Sequence, residues 1–316
     1  MLTAKTAGML LVVLLLALSG CAMPSRTAQP WPENAPDRVL LADVPFFPQE
    51  EYQCGPAALA MALGWSGIQA GPADLAGEVY TPSRQGSLQS SLIAAARRHG
   101  RVAYPIAGLD HLHAELSANH PVIVLVNRGL SWFPKWHYAV AVGYDGPAEE
   151  IILHSGKVQN DRLSLRVFNN IWARGEYWGL LVLPPGELPA IAEENAWIQA
   201  VAGLERTGQR EASVTAYETA RTKWPASFGA WLGLGNARYA SGDMNGAAVA
   251  FERATRLFPE SGPAFNNLAA ALGKLGKRDE ALTAARKAVE LGGPLQEEFR
   301  QTINEIEASP CPSSPQ

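Results

Sequence analysis

Residues 48 to 59 read Pro48-Gln49-Glu50-Glu51-Tyr52-Gln53-Cys54-Gly55-Pro56-Ala57-Ala58-Leu59. Pro56 fits the first turn of a helix, where its missing N–H would have had no partner, and Ala57 to Trp65 are good helix formers. The reading is an amphipathic helix that begins at the sulfur of Cys54. The positive end of the helix dipole and the free N–H groups of the first turn favour a thiolate, so this placement is expected to lower the thiol pKa. A cysteine at a helix start is often no more than a small buried hydrophobe. A nucleophile needs in addition a group that takes its proton.

The candidate for that group is His137, in Trp136-His137-Tyr138-Ala139-Val140-Ala141-Val142-Gly143-Tyr144-Asp145. Small and β-branched residues read there as a buried strand with the histidine at its start. A thiol at a helix N-terminus facing an imidazole on a neighbouring strand is the geometry of a Cys-His enzyme, in which the imidazole activates the sulfur and later protonates the leaving group. His99, His111, His113, His120 and His154 read as surface or structural residues. Asp110, His111 and His113 lack the i, i+4 spacing of a helical metal site, so no metal and no cofactor are expected.

Together these stretches resemble the double-glycine leader peptidases, a papain-like family that trims exported peptides. The match runs over residues 43 to 185. It takes in Val44-Pro45-Phe46 through Gln49, Cys54-Gly55-Pro56-Ala57-Ala58-Leu59, Gly86-Ser87-Leu88 with Ala94-Ala95-Ala96-Arg97 and Gly100, then His137-Tyr138-Ala139-Val140 and Gly143-Tyr144-Asp145. Order and spacing carry the resemblance, since a Cys-Gly-Pro-Ala tetrapeptide alone is weak. It implies that Gln49 supplies an amide to the oxyanion hole beside the backbone N–H of Cys54. Gln53 is the rival for that role. The family pattern has an aspartate after the strand that follows the histidine strand, whereas this chain reads Ile151-Ile152-Leu153-His154-Ser155-Gly156, with Ser155 in its place. A hydroxyl can orient an imidazole but cannot stabilise an imidazolium as a carboxylate does. Asp145, Asp161, Asn169 and Asn170 are the alternative third members. The resemblance further implies cleavage after small residues such as Gly-Gly.

The C-terminal third repeats itself every 34 residues: Trp197, Trp231 and Phe265, then Gly208, Gly242 and Gly276, then Pro225 and Pro259. That is the period of tetratricopeptide repeats, pairs of antiparallel helices that bury an apolar face against the next pair. Leu234, Gly235, Ala247, Phe251 and Ala254 fall on signature positions of the middle repeat, and Ala285 stands at the usual aromatic position of the third. Gln296 to Ile306 reads as a capping helix with Phe299 and Ile303 turned inward. Such arrays commonly bind a peptide or protein partner on their concave face.

The expected architecture is therefore α+β, a papain-like cysteine peptidase domain over residues 39–186, followed by an all-α tetratricopeptide-repeat solenoid over residues 191–308 and a disordered tail at 309–316. Strands are expected at Val122 to Val126, Ala139 to Val142, Ile151 to Leu153 and Leu180 to Leu183. Helices are expected at Leu88 to Arg98 and Leu165 to Trp172. Pro184-Pro185-Gly186-Glu187-Leu188-Pro189 breaks regular structure and reads as a short, stiff link between two domains.

Lys5 precedes an apolar run from Ala7 to Leu18, then Leu18-Ser19-Gly20-Cys21. Residues 1–20 read as a signal peptide. The tetrapeptide resembles a bacterial lipobox, which implies that Cys21 is lipidated and anchors the chain in the cell envelope, with Ala22 favouring the outer membrane and a domain facing the periplasm. Ordinary secretion with a free Cys21 is the alternative. Residues 21–38, with Pro24, Pro30, Pro32 and Pro36, read as a semi-extended tether. Cys311 lies in the tail.

The chain has 316 residues, 18% charged and 47% apolar, enough for two cores. A formal net charge of −4 without a basic cluster argues against nucleic acid as partner. The leading expectation is an envelope-anchored cysteine peptidase acting on a peptide or protein substrate that the repeats recruit. Its rivals are a thiol acyltransferase or amidase using the same pair, and a non-catalytic peptide-binding scaffold.

Overall fold

The computed structural model describes residues 36–50 and 52–308. The signal peptide, Cys21, the tether up to residue 35 and the tail with Cys311 lie outside the described residues.

An antiparallel sheet organises the first half. Its strands are β1 (Arg38–Leu40), β4 (Val102–Ala107), β5 (Val122–Asn127), β6 (Trp136–Asp145), β7 (Glu150–Ser155), β8 (Val158–Ser164) and β9 (Trp178–Leu183), while β2 (Tyr80–Thr81) and β3 (Gly86–Ser87) form a separate small hairpin. The order across the sheet is β4-β9-β5-β6-β7-β8, with β1 on the far end of β6. The four strands expected from sequence are present, and β6 extends three residues beyond its expected run at each end. β4 and β8 escaped notice for opposite reasons. β4 contains Pro105, which is tolerated because β4 is an edge strand and needs no N–H there. β8, Val-Gln-Asn-Asp-Arg-Leu-Ser, is largely exposed and lacks an apolar alternation.

The helix at Cys54–Trp65 departs from the expectation of amphipathicity. Every residue from Gly55 to Leu63 is buried. Gly-Pro-Ala-Ala-Leu-Ala-Met-Ala-Leu has no polar stripe, and a helix that is apolar all round belongs inside a protein. It is enclosed by β5, β6 and β9 on one side and by the helices Pro72–Val79 and Gln89–Arg98 on the other. Leu59, Met61 and Leu63 are wholly buried, each stabilising the fold by roughly 1.5–3 kcal/mol relative to exposure. The start of this helix, and with it Cys54, is held by its own core.

Seven helices follow: Glu194–Glu205, Arg210–Lys223, Phe228–Ser241, Met244–Leu257, Gly262–Lys274, Arg278–Leu291 and Gln296–Ala308. They are three antiparallel pairs and a cap, with Phe299 buried and Ile303 partly so. Gly208, Gly242 and Gly276 all adopt positive φ, at 79, 86 and 74 degrees. Each closes the first helix of its pair in a left-handed conformation that a Cβ would strain, which is the physical origin of the glycine period.

A sheet-rich domain is thus followed by a helical repeat region, and the two are packed together across the link. One apolar core runs from Leu41 through the sheet and into the first two helix pairs, as far as Ala250, and a second spans Ala247 to Ile306. Trp197, wholly buried, sits 6.4 Å from the ring of Tyr104 on β4, and its indole N–H donates to Ala216 O at 3.1 Å. Around the linker, the buried Glu115 carboxylate accepts the N–H groups of Ala190 and Ile191 at 3.0 and 3.3 Å, and pairs at 2.7 Å with His120, whose other nitrogen meets Glu187 at 3.0 Å. The prolines and glycine break regular structure after β9, as read from sequence. They do not separate the cores.

Candidate active site

Cys54 is the first residue of its helix, so the N–H groups of that turn have no carbonyl partner within the helix. His137 is the second residue of β6. Both line one cavity of about 830 Å³ together with Gln49, Ser87, Tyr138 and Gly156, and its outer wall takes Pro134, Lys135 and Trp136. The Cys54 helix packs across β6, which is why residues 83 apart in sequence share a cleft.

The register of β6 against β7 pairs Val140 with His154. Ser155 is therefore one step further along, diagonal to His137 on the same face. Ser155 Oγ and His137 Nε2 lie 3.1 Å apart, and Ser155 is 3% exposed. With Nε2 engaged by the hydroxyl, Nδ1 is the imidazole nitrogen left to carry a lone pair for the thiol. The other candidate third members stand elsewhere. Asp145 is at the opposite end of β6, eight residues or about 26 Å along the strand from His137. It is held by Arg38 at 3.0 Å and by Arg162 at 3.7 Å, which removes it from the site. Asp161 pairs with Arg128 at 3.7 Å, Asn170 is exposed, and neither these nor Asn169 line the cavity.

Gln49, 6% exposed, lines the cavity, whereas Gln53, the helix N-cap, does not. The Gln49 amide donates to Tyr138 O at 3.1 Å and its carbonyl accepts from Gly156 N–H at 2.9 Å, while its own backbone N–H reaches Gly156 O at 2.9 Å. Gln49 thus ties the turn after Ser155 to the residue after His137. One amide hydrogen remains for another acceptor.

The electrostatics differ from the sequence expectation of a depressed thiol pKa. Burial raises the Cys54 thiol above its ordinary value, and the backbone N–H groups of Tyr138, Gly55 and Cys54, which favour the thiolate, only partly offset it. Burial, with Arg128 adding a like charge, pushes His137 down to about 4. At neutral pH the resting pair is therefore a neutral thiol beside a neutral imidazole. Arg128 is a site influence the sequence did not single out, because its effect depends on the strand pairing of β5 with β6. Ser87 is another: its Oγ is buried without a hydrogen-bond partner among the described residues, and a Cβ on Gly55 would lie 2.3 Å from it, so only glycine lets the helix start sit this close. Its place in Gly86-Ser87-Leu88 was the available signal. Among the described residues no cluster of His, Cys, Asp and Glu could hold a metal ion, and no helix is long and apolar enough to cross a membrane.

Comparison with known proteins places these features. Residues 41–176 match the Peptidase_C39 like family, and residues 230–261 and 262–291 each match a tetratricopeptide repeat model. The pair at 194–223 is built like the others but lies outside these matches. No curated protein matches the chain. Among solved structures, a protein described as a C39-like peptidase from Bacillus anthracis is 20% identical and aligns over 47% of this chain and 98% of its own, at a TM-score of 0.41. The type III secretion chaperone SycD of Yersinia enterocolitica, in complex with a peptide of the translocator YopD, is 17% identical over 36% of this chain and 91% of its own, at 0.34. The MamA protein is 18% identical over 36% and 62%, also at 0.34. The chain joins a sheet-rich Peptidase_C39-like domain to a helical region of tetratricopeptide repeats.

Proposed function

We propose that this protein is a cysteine peptidase whose Cys54 attacks a scissile carbonyl carbon while His137 Nδ1 takes the thiol proton. The same nitrogen then returns that proton to the departing amine, and water hydrolyses the thioester. Ser155 acts only by orientation, keeping the lone pair of Nδ1 toward the sulfur. The first-turn N–H of Cys54 and the second amide hydrogen of Gln49 are the donors for the oxyanion. The single observation that carries this reading is the His137 Nε2 to Ser155 Oγ contact in a cleft shared with Cys54.

The test is peptide hydrolysis by the full chain. Cys54→Ala and His137→Ala abolish turnover. Ser155→Asp sets a carboxylate beside Nε2, raises the imidazole pKa toward neutrality and increases kcat about tenfold, since a base titrating near the working pH is the better catalyst. Cleavage after Gly-Gly is the specificity proposed; hydrolysis of other small-residue junctions with none at Gly-Gly would overturn it. Turnover that ignores Cys54→Ala would sink the peptidase reading altogether.

A second reading, a non-catalytic peptide binder, draws on the neutral resting pair and on the serine in place of a carboxylate. Iodoacetamide labelling of Cys54 that is unchanged by His137→Ala, together with peptide binding but no cleavage, would favour it. The repeats are proposed to recruit the substrate or a partner protein. The N-terminus is proposed to carry lipid on Cys21 and to hold the protein at the outer membrane on its periplasmic side; the mass of the N-terminal peptide before and after Cys21→Ser tests this.

A further inference from the structure

The turn between β5 and β6 runs Arg128-Gly129-Leu130-Ser131-Trp132-Phe133-Pro134-Lys135-Trp136. Its backbone is firmly held. Asn127 Oδ1 accepts the N–H groups of Gly129 and Lys135, both at 2.9 Å, Arg128 N–H donates to Lys135 O at 3.0 Å, and Leu130 and Phe133 exchange backbone hydrogen bonds at 3.1 Å. Arg174 donates to Gly129 O from the neighbouring loop. On this ordered turn the large apolar side chains stand in solvent: Trp132 is 81% exposed, Phe133 61%, and Leu130 and Trp136 both 53%. A fixed cluster of this kind marks a surface that something else covers.

Two observations select what covers it. Leu130, Trp132 and Phe133 do not line the catalytic cleft, whose wall takes only Pro134, Lys135 and Trp136 from this hairpin. The turn offers an outward knob, without a groove to grip an extended peptide. The second observation is charge. The nine residues carry Arg128 and Lys135 and no carboxylate, with Arg174 beside them, in a chain whose formal net charge is −4. An aromatic knob flanked by Lys135 and Arg174, with Arg128 paired to Asp161, is complementary to an anionic bilayer surface, where indole rings rest at the headgroup level and Lys and Arg meet phosphates. Arg128 also keeps Asp161 at 3.7 Å, which leaves Lys135 as the charge best suited to a test.

We infer that the Leu130–Trp136 hairpin is a membrane-interface element that inserts Trp132 and Phe133 into an anionic lipid surface. Because the same hairpin forms one wall of the cleft, insertion sets the cleft mouth beside the bilayer. The inference stands on exposure, shape and charge and is independent of whether Cys54 is catalytic.

The experiment uses the full chain with vesicles of phosphatidylcholine containing about a quarter phosphatidylglycerol, some with brominated acyl chains. Trp132→Phe keeps the apolar surface and removes one fluorophore, so the difference between the two emission spectra belongs to Trp132 even if the N-terminus is itself anchored. The expected result is a Trp132 emission that shifts to the blue on these vesicles and is quenched by the bromines. Lys135→Gln lowers the ratio of inserted to exposed Trp132 about fivefold, and so does replacing phosphatidylglycerol with phosphatidylcholine. A Trp132 signal that stays water-like and unquenched on anionic vesicles overturns the inference. So does the pattern in which Trp132 stays unquenched on anionic vesicles while Trp132→Ala lowers kcat/KM on a soluble peptide, which would make the hairpin a substrate contact.

Discussion

Trp197 and Trp231 occupy the same position in successive 34-residue repeats, yet Trp197 is wholly buried and Trp231 only half so. Trp197 lies against Tyr104 of the sheet domain. Trp231 packs within the repeats, with its indole N–H on Pro225 O at 3.0 Å and the Arg221 guanidinium 5.5 Å over its ring. The same sequence signal thus does two jobs. In the outer array it closes one repeat against the next, and at the junction it welds the repeats to the domain that holds Cys54. The position of the first repeat relative to the cleft is therefore set by a core, which a flexible linker would not provide.

The sharpest way to break this comparison is Trp197→Ala against Trp231→Ala. Truncating the buried indole costs about 3–5 kcal/mol, whereas the partly buried one costs about 1–2 kcal/mol. Denaturant unfolding followed by circular dichroism gives both numbers, and equal losses would mean that the junction is no tighter than the array. Next in size is Glu115→Ala, which leaves His120 Nδ1 and the N–H groups of Ala190 and Ile191 without their partner and costs roughly 3 kcal/mol. Faster hydrogen exchange at Ala190 and Ile191, with the Met244–Leu257 helix unaffected, would localise that loss to the junction.

The pH dependence separates the junction from the cleft, because their histidines shift in opposite senses. Burial opposes protonation of His120, but Glu115 and Glu187 outweigh it and its pKa is raised. Its contribution to stability is then fully present below the unfolded value of about 6.5 and is lost as pH rises through the folded value. His137, depressed to about 4 by burial and Arg128, has the reverse sign: the unfolded chain takes up protons first, so stability falls as pH drops from about 6.5 toward 4. His120→Gln is expected to weaken the alkaline arm and His137→Gln the acid arm of a stability-pH profile, to which His113 and His154, also depressed by burial, add in the same sense as His137. For the cleft itself, iodoacetamide labelling of Cys54 is slow at pH 5 to 7 and rises only above the ordinary thiol range, with Ser155→Asp moving that rise to lower pH. Fast labelling at pH 5 in the unmodified protein would contradict a neutral resting pair.

The smallest effect serves as a control in which junction and array agree. Gly208→Ala and Gly242→Ala each strain a left-handed turn and cost about 1–2 kcal/mol. At both positions the space where a Cβ would go is open, so the cost is local backbone strain and is the same in the first repeat as in the second. A larger loss at Gly208 would show that the junction is sensitive to the turn that follows it.

Much of this was legible in advance, where the signal was local. The Gly-Pro-Ala run placed a helix start at Cys54, the apolar stretch from Tyr138 to Tyr144 placed β6, and the glycine period placed three turns that each require positive φ. Where the reading failed, neighbours decided. Helix propensity alone makes the Cys54 helix an amphipathic surface element, because propensity says nothing of what surrounds a helix. β4 was hidden by Pro105 and β8 by its polar face, both permitted only by an edge position. Asp145 looked like a possible third member because it follows His137 closely in sequence, but an extended strand carries it away. Ser155 could be named from its place after a strand; its distance to Nε2 came from register.

By itself, the sequence determined the kinds of elements present and their order, since helix starts, strands and left-handed turns depend on residues within a few positions of one another. It also determined the repeat period and the residue types available for chemistry. Only the tertiary structure decided that a thiol and an imidazole far apart in the chain share one cleft, that burial holds both neutral, and that the first repeat shares a core with the sheet domain. Burial and register arise from contacts between distant segments, and a single chain's local patterns do not encode which distant segment will supply the partner, the like charge or the covering surface.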